Sequence, residues 1–278
     1  MKVLIIGANS QIGDFLLPRL LQRGDRLSAW VRRAPIKAHP INWIHADVYQ
    51  YAGAEPVDAL ISAGPLDALP RLLELHAPLG LKQVVAFSSM SATAKAGSAQ
   101  PDERAQALAL QTMEGAVFST AKRLGLSVAI LRPTMIYGCG RDRNLSRLRG
   151  VAQRARLILL PASANGLRQP VHASDLAHAA IAALDRRVQG VLELGGAHSL
   201  TYREMTERVL RTVPGPVWLQ TVPDAIFSRL MAWTKALDRG QIERLNVDQC
   251  ADLGPAAREL GFSPRGFDPQ PCDFAPPP

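Results

Sequence analysis

The chain has 278 residues, 47% of them apolar, with a net charge of +8 and a pI near 9.9. That length allows one large α/β domain, or one with a small appendage, to bury a sizeable core without disulfides. Three cysteines, Cys139, Cys250 and Cys272, odd in number, far apart and in neither a CxxC nor a Cys/His cluster, argue against a disulfide framework or a metal site.

A reducing, cytoplasmic setting fits that cysteine usage best. Lys2 followed by VLII looks like the start of a secretion signal, but Asn9, Ser10, Gln11 and Asp14 interrupt the apolar region before any cleavage-like site. No later stretch approaches the roughly 20 apolar residues needed to cross a bilayer, so a soluble protein without membrane partners is expected. The positive charge favours anionic partners, whether nucleotide, diphosphate or polyanion, without choosing among them.

In chain order, Lys2 to Ile6 reads as a buried strand and Ile12 to Arg23 as a helix stopped by Gly24. Strands follow at Arg26 to Val31, Ile41 to Ala46, Ala59 to Ser62 and Gln83 to Phe87. Helices are expected at Leu66 to Leu75 and Glu103 to Leu124, then a strand at Ser127 to Leu131. Asp175 to Leu184 reads as a helix with Ser174 as its N-cap, and Gly190 to Leu194 as a last strand. Strands alternating with helices, several of them short continuous apolar runs, argue for a parallel sheet covered on both faces. Beyond Gly196 the pattern turns helical and proline-broken, with helices at Thr201 to Thr212 and Ala225 to Leu237. Pro264 to Pro278 reads as a loose tail.

The first strand runs into GANSQIG, which places Gly7, Ser10 and Gly13 on the spacing GxxGxxG with serine in the middle slot. Small residues let the backbone come close to a pyrophosphate, whose charge the free N–H groups of a helix N-terminus stabilise. Serine keeps that turn small and adds a hydroxyl.

Seven fragments then occur in a recognisable order between Lys2 and Pro264: GANSQIG, ADV, SAG, FSSMS, LRPTMIYG, QPVHASDLA and ELGFSP. On these the chain resembles the extended short-chain dehydrogenase/reductase superfamily, which contains nucleoside-diphosphate-sugar epimerases and dehydratases. The resemblance implies a doubly wound parallel Rossmann sheet over residues 1–196, with a substrate-side excursion at about 138–168. A small, mostly helical C-terminal lobe and Pro-rich tail over 197–278 complete the expected fold. It also implies a nicotinamide dinucleotide held by Gly7, Ala8, Asn9, Ser10, Gln11, Ile12 and Gly13. Asp47 and Val48 would lie against the adenine, Ala63 and Gly64 along the ribose and pyrophosphate, and Pro133 at the nicotinamide end.

The choice of nucleotide is read at the end of the second strand. NAD sites place an acid there to accept from the ribose hydroxyls, whereas a 2′-phosphate requires positive charge. This chain reads SAWVRRAP, with Arg32 and Arg33 and no acid, which favours NADP over NAD.

The superfamily's Tyr and Lys, four residues apart, are missing. With Glu114 as anchor, Gln106 stands in the Tyr slot and Leu110 in the Lys slot, and YxxxK occurs nowhere in the chain. Gln does not titrate and Leu carries no charge, so the proton handling that a phenol beside an ammonium would perform has lost both groups. Only the serine position persists, as Ser88 or Ser89. Tyr137 and Lys95 are candidate substitutes, but the plainer readings, a pocket wall and a solvated loop charge, take precedence. His172 reads as architectural. The chain thus resembles the atypical members of the superfamily, which include quinone and isoflavone-type reductases and NmrA-like nucleotide-sensing regulators.

Between Gly140 and Arg156 stand six arginines; if helical from Asn144, Arg147 and Arg154 share one face and Arg149 and Arg156 another. They suit an anionic small-molecule substrate or, equally, a solvated basic face. Nucleic acid ranks last, for want of aromatic content and a reading motif. Two functions remain open: an NADP(H)-dependent reductase or epimerase-like enzyme, and a non-catalytic NADP(H)-binding sensor or assembly protein. A homodimer through the helices flanking the fifth strand is what the superfamily implies.

Overall fold

The computed structural model describes residues 1–32, 39–50, 53–234, 242 and 244–276. These fall into two compact units. The first takes in 1–133, 173–194 and 252–263, and the second 134–172, 195–251 and 264–278.

The first unit is built on a seven-stranded sheet whose neighbouring strands are all parallel. Its strands are β1 (Lys2–Ile6), β2 (Arg26–Val31), β3 (Asn42–His45), β4 (Ala59–Ser62), β5 (Gln83–Phe87), β6 (Ser127–Pro133) and β11 (Gly190–Leu194). Across the sheet the order is β3, β2, β1, β4, β5, β6, β11. The direction of winding therefore reverses between β1 and β4, which defines a doubly wound Rossmann sheet with its switch point there. Strands in the middle of such a sheet are buried on both faces and read as unbroken apolar runs. All four residues of β4 are buried, as are Val3 to Ile6 of β1 and Val84 to Phe87 of β5.

Helix α1 (Gln11–Gln22) starts because Ser10 caps it, its Oγ accepting from the Gly13 N–H at 3.1 Å. It buries Ile12, Leu16, Leu17 and Leu20, an apolar stripe at helical spacing. On one face of the sheet α1 packs with α6 (Ala173–Asp185). On the other, α2 (Leu69–His76) packs with α4 (Pro101–Leu124) over Leu60, Leu72, Val84, Val117 and Ile130. Proline in the first turn, acids at Asp102 and Glu103, basic Lys122 and Arg123 in the last turn and Gly125 behind them set the limits of α4.

Helix α6 begins at Ala173, so Ser174 lies inside its first turn rather than at its cap. Its hydroxyl accepts from Arg19 Nη2 of α1 at 2.8 Å, a partner 155 residues away.

The second unit has short elements: β7 (Ile136–Tyr137) beside β10 (Val171–His172), β9 (Leu167–Arg168) beside β12 (Leu200–Thr201), and β8 (Leu157–Pro161) beside β13 (Trp218–Val222). Around them stand α5 (Leu145–Ala155), α7 (Tyr202–Leu210) and α8 (Asp224–Thr234). The end of the helix expected to reach Leu237 lies outside the described residues.

The Pro-rich end, expected to be loose, is docked. Phe267 is fully buried among Tyr137, Leu145, Leu200, Met205 and Val209, and Arg208 Nη1 donates to its carbonyl. A short 3-10 turn, Pro271–Phe274, is closed by a reciprocal cap between Gln270 and Asp273. Prolines lower the entropy of the unfolded segment, and one aromatic anchor then holds it. Phe267→Ala is expected to cost the second unit about 3–5 kcal/mol, read from chemical denaturation with protease sensitivity of the tail as the local probe.

Candidate functional site

At the switch point two backbones nearly touch. Gly7 has φ +77, and a Cβ on it would stand 2.7 Å from the Ala63 carbonyl oxygen and 3.1 Å from the Gly64 nitrogen. A Cβ on Gly13 would fall 2.0 Å from the carbonyl oxygen of Ala8. Any side chain at either position would push β1 from β4 or α1 from the turn before it. The Ser10 N–H donates to the Gly7 carbonyl at 2.8 Å, and the Ser10 hydroxyl caps α1. Serine in the middle slot therefore closes the turn and satisfies the Gly13 N–H. The structure thus brings together the residues expected to hold a pyrophosphate: the turn from Gly7 to Gly13, and Ala63 and Gly64 at the end of β4.

Arg32 follows β2 and is exposed, whereas Arg33 lies outside the described residues. Asp47 follows β3, and its Oδ1 accepts from the Tyr49 N–H at 2.9 Å. Val48 is buried in the core against α2, and its carbonyl accepts from Arg71. The Tyr49 hydroxyl donates to Asp67 at 2.9 Å; that bond raises the phenol above its ordinary range, with burial and the nearby carboxylates adding and Arg32 opposing.

Beyond β5 the two serines are both engaged. Ser88 Oγ donates to Glu114 Oε1 at 2.5 Å, and Ser89 Oγ accepts from the Ser91 N–H at 3.1 Å at the start of α3 (Ser91–Ala94). Glu114 also accepts from Arg132, whose Nε lies 3.0 Å from Oε1 while Nη2 meets Oε2. The carboxylate is 4% exposed and the guanidinium 13%, so this is a buried, bidentate pair with a serine as third donor. The bond to Glu114 holds the Arg132 guanidinium above its usual range despite the opposing effect of burial. Pro133, buried at the end of β6, gives its carbonyl to the Met90 N–H at 3.1 Å.

The two slots for Tyr and Lys differ in setting. Gln106 is exposed on α4 and its Oε1 accepts from Lys95 Nζ at 2.7 Å; Leu110 is half-buried and packs on the core.

Tyr137 and His172 lie in the second unit. Tyr137 is 1% exposed, edge-on to the His172 ring at 5.0 Å and to Phe267 at 5.1 Å. His172 Nε2 stands 3.4 Å from Asp273 Oδ1. Burial alone would raise the Asp273 carboxyl; hydrogen bonds from His172 and the Gln270 N–H outweigh it and hold the group below its ordinary range. In the arginine segment, Arg149 donates to Thr212 and stacks on Phe274, while Arg156 donates to the Pro214 carbonyl. Both bind the second unit together.

Sequence reasoning used Glu114 only as an anchor and passed over Arg132 and Asp273. An acid mid-helix and an arginine inside a buried strand are the signals that could have paired the first two. Among the described residues no group of three His, Cys, Asp or Glu could hold a metal ion, and no helix is long and apolar enough to cross a membrane.

A strand order reversing at a glycine turn, with a capped helix N-terminus beside it, makes this a dinucleotide-binding type of α/β fold. Residues 65–195 match the model of the NAD dependent epimerase/dehydratase family. The uncharacterized protein y4nG of Sinorhizobium fredii (strain NBRC 101917 / NGR234) is 29% identical over 149 residues. That match takes in 52% of this chain but only 38% of that protein, well under half its length. Among solved structures, MoeE5 in complex with UDP-glucuronic acid and NAD superposes with a TM-score of 0.75 at 20% identity, over 96% of this chain and 94% of that one. UDP-N-acetylglucosamine 4-epimerase from Bacillus cereus gives 0.74 at 16% identity, over 99% and 95%. The match to that family's model takes in just under half of the chain, and the solved structures share its Rossmann fold.

Two outcomes follow from these charge pairs. Glu114→Ala leaves Arg132 buried without its partner and is expected to cost about 3–5 kcal/mol in chemical denaturation, with Glu114→Gln losing less. A carboxyl depressed in the folded state stabilises above its unfolded value and ceases to do so as pH falls through the folded one. The Asp273 contribution is therefore complete above roughly pH 4–5 and lost on acidification below the ordinary aspartate range. Asp273→Asn should flatten that acid limb of a stability-versus-pH curve.

Proposed function

We propose that the chain binds a nicotinamide dinucleotide at the switch point of its sheet and acts on a nucleotide-linked, anionic substrate as an epimerase-like or reductase-like enzyme. The observation that carries this reading is the approach of Gly7 to Ala63 and Gly64 beside the capped N-terminus of α1. That arrangement supplies unencumbered backbone and a favourable helix dipole for a pyrophosphate. The family of residues 65–195 and the UDP-sugar and NAD complex of MoeE5 support the substrate class.

In this reading Gly7, Ala8, Asn9, Ser10, Gln11, Ile12 and Gly13 hold the pyrophosphate, with Ala63 and Gly64 closing the opposite side. Asp47 and the backbone of Val48 border the adenine, and Pro133 the nicotinamide end. Arg32 and Arg33 give the site a preference for the 2′-phosphate of NADP, against which stands the NAD of MoeE5. When bound, the dinucleotide exchanges hydride with a carbon of the substrate. Tyr137 serves as packing for its own unit, since it is buried between two rings. Ser88 orients Glu114 and Arg132 rather than meeting substrate. A dimer through the outer face of α4, where Leu108 is 65% exposed beside Ala105, Ala109 and Thr112, accompanies this reading. We place the protein in the cytoplasm.

A second reading is favoured by Gln106 and Leu110. With neither slot titratable, the same site would serve a sensor or assembly protein whose partner affinity follows the bound nucleotide. Turnover separates the two. Conversion of any member of a UDP-sugar, quinone or carbonyl panel with bound dinucleotide excludes the pure sensor.

Titration with NADPH and NADH, followed by nicotinamide fluorescence, tests the site itself. NADPH is expected to bind more tightly, and Arg32→Ala to weaken it about tenfold while leaving NADH unchanged, the scale of one charged hydrogen bond. Equal binding of both nucleotides and no response to Arg32→Ala would replace NADP by NAD; failure of either to bind would overturn the dinucleotide reading.

A further inference from the structure

We propose that one end of the second unit, around Arg154, Arg156, Arg211 and Trp218, is a docking surface for an anionic lipid bilayer. The inference concerns the second unit alone and does not rest on the dinucleotide reading. From Arg143 to Ser174 the sequence has no carboxylate, and from Arg208 to Pro223 it has none either. These two stretches meet in space. Arg149 of α5 donates to Thr212, Arg156 Nη1 donates to the Pro214 carbonyl at 2.6 Å, and the Trp218 N–H donates to the Arg156 carbonyl at 3.0 Å. The acids on either side are turned elsewhere. Asp142 is buried and accepts from the Asn144 and Ser146 N–H groups at the start of α5, while Asp224 accepts from the Ser163 N–H beyond the far end of β8.

Arg154, Arg156 and Arg211 are exposed. Arg156 bonds a neutral carbonyl and so keeps its charge, and among the described residues no carboxylate pairs with Arg154 or Arg211. Large apolar side chains stand among these cations. Leu157 of β8 and Trp218 of β13 are register partners in a parallel ribbon, so both leave it on the same side, where they are 42% and 66% exposed. Val151, one turn before Arg154 on α5, is exposed as well. The turn Pro214 to Pro216 is also exposed, and its two prolines have no N–H to strip of water.

An arginine face alone is satisfied by water and counterions. Aliphatic and indole side chains set into that face call for a partner that offers anionic oxygens and hydrocarbon together, and headgroup phosphates above acyl chains offer both. Tryptophan suits that boundary, its ring apolar and its N–H wet. Nucleic acid would supply the phosphates but nothing for Leu157 and Val151. The association is peripheral, since no helix among the described residues is long and apolar enough to cross a membrane. It departs from the expectation of a chain without membrane partners.

Flotation of the full chain with vesicles of phosphatidylcholine alone, and of phosphatidylcholine with about one-third phosphatidylglycerol, reads the proposal directly. Binding is expected to the anionic vesicles only, and to weaken as salt screens the charges. Arg154→Gln/Arg211→Gln removes two charges that hold no side-chain bond among the described residues, and should weaken binding about twentyfold, near fivefold for each charge. Trp218→Ser should weaken it about tenfold. Trp218→Phe, which keeps a ring in place, should still float while losing part of the quenching of tryptophan emission by brominated acyl chains. Lys122→Gln on α4 of the first unit should match wild type. No flotation on anionic vesicles, equal flotation on both kinds, or a double-arginine variant that floats as wild type does would overturn the proposal. Retention by duplex DNA without flotation would assign these arginines to a polyanion and overturn it equally.

Discussion

The close approach of two backbones at the switch point governs the rest of the first unit. Because Gly7 and the Ala63–Gly64 segment leave no room for a Cβ between them, β1 and β4 end side by side and the chain must turn away at once into α1. Gly13 repeats the constraint one helical turn later against Ala8. The direction of α1, and hence of its N-terminus, is set by these two contacts. Serine between them is tolerated because its side chain points to the helix it caps and not into the gap.

Below the carboxyl end of β5 a different economy holds. A buried carboxylate and a buried guanidinium are each costly alone, and the pair is stable because Arg132 meets Glu114 with two donors while Ser88 adds a third. The same geometry turns the Ser88 hydroxyl inward. A serine at a strand end, which in sequence reads as a reacting group, is here the third donor of an ion pair that ties β6 to α4.

Much of the first unit could be read from sequence because its signals are local. β1, β2, β4, β5 and β11 fall on the expected residues, since doubly buried strands are short apolar runs punctuated by glycine and acid. Helices α1 and α4 shifted by only a residue or two at their ends, and α2 begins three residues late, behind a 3-10 turn at Leu66–Ala68. The second unit gave less away. Its paired strands at Ile136, Val171, Leu167 and Leu200 are two residues long, too short for any period to show, and β8 meets β13 across some sixty residues of chain. The tail was misread because proline content signals a lack of regular structure, not a lack of contacts, and Phe267 supplies the contact. Helix α6 starts two residues before the expected Asp175, which places Ser174 inside its first turn.

The glycine turn was legible for the same reason. A close approach of backbones needs small residues at a fixed spacing, and Gly7, Ser10 and Gly13 keep it. The Tyr and Lys spacing expected for proton handling is absent, and any substitute drawn from separate elements would leave no spacing to read. The two parts also tolerate change differently. Leucine at position 110 adds apolar contact to the core beneath α4, and glutamine at 106 stays on the exposed face, so neither exchange disturbs the helix that bears them. Nothing in the packing compels the chemistry to follow the fold. A chain can therefore keep the glycine turn and its helix intact while both of these positions change, and Gln106 here accepts from Lys95.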